Sequence, residues 1–118
     1  MVAMSSMNFE RAQAFVSAVP AGRWTAYKDV AEAAGNERGA QAAGEWLRRR
    51  GQEFDHVYRV LRADGFVPDA FQPAGPGIPA SAKKVRETLR SEGVAIDDRG
   101  RASRAQRYYF HDWAEQST

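Results

Sequence analysis

The chain has 118 residues, 43% of them hydrophobic, enough for the core of one domain spanning 1–118. It contains no cysteine, which excludes a disulfide framework, a thiolate zinc site and a thiol nucleophile. The net charge is only +2, but most basic residues are arginines, clustered at Arg48–Arg50 and from Arg99 to Arg107. Such clusters suit phosphate partners or, equally, a solvated helix face followed by a basic tail.

Residues 1–7 lack the charged and apolar blocks of a signal peptide and are expected to be disordered, and no stretch of about 18 apolar residues occurs. A soluble, cytoplasmic protein with no membrane partner is therefore expected. Behind Asn8, a good N-cap, Phe9, Ala12, Phe15, Val16 and Val19 recur at helical spacing until Pro20-Ala21-Gly22. Thr25 is placed to cap a second, short helix with Tyr27, Val30, Ala31 and Ala34 on one face, stopped by left-handed residues at Gly35-Asn36.

A third helix is predicted from about Glu37 to Arg50, with Ala40, Ala43, Gly44 and Leu47 inward and Arg38, Gln41, Glu45, Arg48 and Arg49 outward. Two helices joined by a short glycine-containing turn read as helix-turn-helix. The run His56–Leu61 is rich in strand formers, and Asp64-Gly65 followed by Phe66-Val67 predicts a hairpin wing. Pro68 to Ala80, with four prolines and two glycines, reads as a loop. Ser81 caps a fourth helix with Val85 and Leu89 inward, ended by Glu92-Gly93-Val94. Beyond it lies a tail, basic and aromatic over 99–118, whose Tyr108-Tyr109-Phe110 run is suited to docking on the core. The predicted fold is mainly α, a winged helix-turn-helix domain with a small β-hairpin wing.

The third helix has the composition that close approach to a duplex demands. Gly39, Ala40, Ala42, Ala43 and Gly44 keep it thin, for a groove or for tight packing on the first helix. Arg48, Arg49 and Arg50 suit the helix dipole and phosphate contact alike. Trp46, beside Gly44 and Arg48, is a candidate stacking platform, against the alternative of a core tryptophan. His56 and His111 have no partner at ligand spacing, so no metal and no cofactor are expected.

The order of these features resembles the alkylguanine-DNA alkyltransferases and their alkyltransferase-like relatives. Val19–Ala31 looks like the entry to that family's helix-turn-helix, and Gly35-Asn36 with Ala40–Arg48 resembles its recognition helix. His56–Leu61 with Asp64-Gly65 stands where the family has its Pro-Cys-His-Arg-Val-Val active-site strand, and Leu89–Val94 where its last helix ends in Glu-Gly-Val.

The resemblance implies that Tyr27 matches a tyrosine pressing on the backbone of a flipped nucleotide, although a core-edge aromatic would look the same. Gln41 stands where an arginine replaces an extruded base. Val57 occupies the nucleophilic cysteine's position and Tyr58 the histidine's, which excludes alkyl transfer because valine has nothing to ionise and a phenol is a poor base at neutral pH. Glu92, the third member of the relay, is then expected to hold Tyr58 or Arg59 by hydrogen bond. Tyr27, Arg38, Gln41, Ala42, Trp46, Arg48 and Arg49 are the expected DNA-binding residues, and Val57, Tyr58, Arg59 and Glu92 the expected base pocket. The expected partners are double-stranded DNA, carrying an alkylated or methylated base, and a repair or nuclease protein. The alternative is a plain sequence-specific or architectural DNA binder that flips no base.

Overall fold

The computed structural model describes residues 7–50, 56–67 and 81–116; the expectations for residues 1–6 and for the loop Pro68 to Ala80 lie outside these. The first helix, α1 (Phe9–Ala18), begins at Asn8, whose Oδ1 accepts the Arg11 N–H at 3.0 Å. It buries Ala12, Phe15 and Val16, and Val19 is buried just past its end. A two-residue strand, β1 (Thr25–Ala26), leads directly into α2 (Tyr27–Ala33).

Thr25 does not cap α2. It is fully buried in β1, where its hydroxyl donates to the Tyr108 carbonyl at 2.7 Å. The capping is done from inside the helix: the Asp29 carboxylate accepts the Ala26 N–H at 3.3 Å. Gly35 ends the segment at φ +92°, the left-handed conformation a side chain would resist. Asn36 is not left-handed; its side-chain oxygen accepts from the Arg38 N–H and its carbonyl from Gly39. This turn occupies positions predicted as helix, so α3 spans Ala40–Arg50 and Arg38 precedes it. Packed against each other, α2 and α3 form the helix-turn-helix.

The small sheet departs from a hairpin. Val57–Arg59 form a 3₁₀ turn, and only Val60–Leu61 are strand (β2), running parallel to β1 with Thr25 opposite Val60 and Ala26 opposite Leu61. The chain does turn back at Asp64-Gly65, where Gly65 N–H reaches the Arg62 carbonyl at 2.8 Å. Phe66 is then taken by the C-terminal segment, in an antiparallel bridge to Arg101. Gly65 has to be glycine: φ is +83°, and a Cβ would lie 2.7 Å from the Ala102 carbonyl oxygen.

The two strands separate two apolar clusters. Val60 joins α1, α2, α3, Val57 and Tyr108 on one side, while Leu61 faces Trp24, Val67, Val94 and the apolar stripe of α4 (Ala82–Ser91) on the other. The result is a mostly helical, winged-helix-like domain with five α-helices among the described residues, the last being α5 (Phe110–Gln116).

The C-terminal segment is stitched into this frame. Trp24 bridges Arg107 in parallel, exchanging hydrogen bonds with Gln106 and Tyr108, and its indole N–H reaches the Ser103 carbonyl at 2.8 Å. The Gln106 amide donates to Gly22 and Gly93 and accepts from Ala95 N–H. Arg107 donates to Asp29 Oδ2 from Nε and Nη2, at 3.0 and 2.7 Å, with 12% and 2% of the two side chains exposed. Asp29 Oδ1 accepts the Phe110 N–H at the start of α5. Arg107→Ala leaves this carboxylate buried without its counter-charge and should destabilise the fold by about 3–5 kcal/mol in urea unfolding, with Arg107→Lys recovering only part because it lacks the fork of donors. A loss below about 1 kcal/mol would show that the tail docks independently of the pair.

Candidate nucleic-acid interface

Helix α3 offers one open face. Ala43, Trp46 and Leu47 are buried, whereas Gln41, Ala42, Arg48 and Arg49 are exposed, with Glu45 half-buried among them. Spacings of three, four and seven residues place these five on one stripe. Arg38 is exposed in the preceding turn. Gly39, just before the helix, is buried, where a Cβ would meet Met7 at 3.1 Å, while Ala42 lies exposed on the outer face.

Trp46 does not belong to that face. It is 8% exposed, within the α1–α2–α3 core, and its ring stacks on Phe9 with centroids 4.8 Å apart. Its position on the helix, one residue before Leu47, turns it inward. Tyr27 opens α2 and packs partly buried on the same core, and a Cβ added at Gly44 of α3 would touch its ring at 3.8 Å. Burial holds its phenol well above the usual range, so it is neutral and a hydrogen-bonding group rather than a charge.

Of the other predicted group, Tyr58, Arg59 and Glu92 come together at the end of α4, where Glu92 is the C-cap. Arg59 grips the Glu92 carboxylate with two bonds, Nε to Oε1 and Nη2 to Oε2, both 2.9 Å, and its Nη1 donates to the Val19 carbonyl at 2.8 Å. The Tyr58 hydroxyl donates to Glu92 Oε2. Val57 is apart from them: it is fully buried in the core cluster.

Burial by itself would raise the Glu92 carboxyl, but the hydrogen bonds from Arg59 and Tyr58 and the Arg59 charge hold it below the usual carboxylate range. Burial, followed by the bond to Glu92, raises Tyr58, which stays a neutral donor. The group is thus an ion pair with a phenol attached, and it supplies no base that titrates near neutrality.

His56 Nε2 lies 3.0 Å from the Ser17 carbonyl, and among the described residues no group of histidines and carboxylates is arranged to hold a metal. None of the described helices is long and apolar enough to cross a membrane. Arg107, counted in sequence with the basic tail, is committed to Asp29, while Arg99, Arg101 and Arg104 are exposed. Sequence reasoning passed over Asp29, Arg107 and Gln106; an acid in the first turn of α2 was the one visible signal, and its partner lies 78 residues away.

The sequence model of the 6-O-methylguanine DNA methyltransferase, DNA binding domain, matches residues 8–94. The chain belongs to this family. It is a DNA-binding domain, with DNA as its partner, and the helix-turn-helix of α2 and α3 falls wholly inside the match. The segment stitched on by Gln106 and Arg107 falls beyond it. No curated protein matches the chain.

Replacing Glu92 with glutamine should cost about 2–3 kcal/mol of stability at pH 7, since the Arg59 guanidinium loses its counter-charge in a largely buried place. The sign follows from the depressed carboxyl: its contribution is present above the ordinary carboxylate range and disappears as pH falls through the folded value. Urea titrations at pH 7 and at successively lower pH should therefore show a gap between wild type and Glu92→Gln that narrows in acid; a gap of constant size would remove the ionic account.

Proposed function

We propose that this domain binds duplex DNA without catalysis, in the cytoplasm at the nucleoid, and senses an alkylated or methylated base so as to signal to a repair or nuclease protein. The observation that carries the non-catalytic part is a chain without cysteine whose Val57, at the position that the resemblance assigns to the family's nucleophile, is fully buried. A hydrocarbon side chain accepts no alkyl group, and Tyr58, bonded to Glu92, is in no position to activate a thiol. Val57→Cys should accordingly take up no labelled alkyl group from an alkylguanine duplex over hours; rapid labelling of the protein would overturn the assignment.

The DNA-facing surface in this reading is the stripe Gln41, Ala42, Arg48 and Arg49 on α3, with Arg38 beside it and Tyr27 at the start of α2. Arginines there replace phosphate counterions, and Gln41 reaches a base edge or part of a vacated stack. The full burial of Val57 supports a second reading, a plain winged-helix binder in which the former cavity is filled by the core.

The two readings part on modified DNA. If a base is extruded, Tyr27→Ala and Gln41→Ala should weaken binding more on duplexes with an alkylated or mismatched base than on ordinary ones, and 2-aminopurine fluorescence should rise on binding. If α3 only reads base edges, Gln41→Ala should cost roughly 1–3 kcal/mol at one position, regardless of modification. Equal losses on both duplexes with no fluorescence change would reject sensing by base flipping.

A further inference from the structure

The open face of α3 carries one residue that phosphate binding does not explain. Glu45 is the helix's single acidic residue, four positions after Gln41 and three before Arg48, in the middle of the basic stripe. Its side chain is 46% exposed and pairs with Arg48, itself 52% exposed. So exposed a pair adds little to folding, and Arg48, in the last turn, is already favoured there by the helix dipole. Stability therefore gives no reason for a carboxylate at this place.

We propose that Glu45 is a specificity-determining residue that penalises binding to DNA through the backbone alone. This rests on α3 being the DNA-facing helix. In the free protein its carboxylate occupies the Arg48 guanidinium. For Arg48 to reach a phosphate it leaves Glu45, whose charge then stands unpaired beside a polyanion; if it stays, one cation is withheld from the phosphates. Either way non-specific contact is weakened. The penalty is lifted where a base edge presents a donor to the carboxylate, the cytosine amino group in the major groove being the best placed. Such selective repulsion raises discrimination while lowering overall affinity.

The test compares wild type, Glu45→Gln and Arg49→Ala on a random-sequence duplex pool and on the duplexes wild type enriches from it, across a salt series. Glu45→Gln should bind the random pool about 3–10-fold tighter, with a log–log salt slope steeper by about 0.9, and gain less on the enriched duplexes, so that the ratio between them falls. Thermal melting should match wild type, since the site is exposed. Unchanged or weaker binding of Glu45→Gln to the pool, alongside a clear loss for Arg49→Ala, overturns the role of Glu45 and leaves the interface standing. No loss for Arg49→Ala overturns both.

Discussion

The carboxylate of Asp29 organises this domain. It is 1% exposed, and its bonds to Arg107 and to the Phe110 N–H tie the start of α2 to the C-terminal segment. One oxygen caps α2 and takes both donors of Arg107; the other caps α5 at Phe110. Because a buried charge is tolerated only when compensated, the start of α2 and the docking of the C-terminal segment form a single condition. Tyr27 lies two residues before Asp29, so the same bonds fix where the helix-turn-helix begins.

A second charged node closes the other end. Arg59 and Glu92 join the 3₁₀ turn after the recognition helix to the end of α4, and the Arg59 bond to the Val19 carbonyl extends the link to the end of α1. Both nodes lie at the ends of helices, where a charged pair fixes how one segment meets the next. The ionic pair is satisfied internally, and the phenol that completes it is neutral. The outer stripe of α3, by contrast, carries exposed charge, including the Glu45–Arg48 pair.

Much of the helical frame was legible in the residues. The Asn8 cap, the stop at Gly35, the Ser81 cap and the apolar spacing of α1, α3 and α4 are local signals acting over one or two turns, and they appear as expected. The misread positions share a cause. Thr25 looked like a cap because a hydroxyl before a helix usually is one, and it lies instead in a strand covered by Tyr108. Trp46 looked available because of its neighbours in sequence, and α1 supplies the ring that covers it. The expected turn at Asp64-Gly65 forms, with the Arg62 N–H on the Phe66 carbonyl, but the strands beside it find other partners: Arg101 bridges Phe66 and β2 runs parallel to β1, 35 residues earlier.

The sequence by itself determined the helix-turn-helix, the family, and the absence of a thiol nucleophile, since each rests on residue identity and short-range spacing. Only the tertiary structure decided which arginines are exposed and which are held inside. Arg107 and Arg48 are alike in sequence, but one is held by a buried acid 78 residues away and the other by an exposed acid three residues away. The strength of an ion pair depends on how far water is excluded from it, and that is set by the packing around the charges.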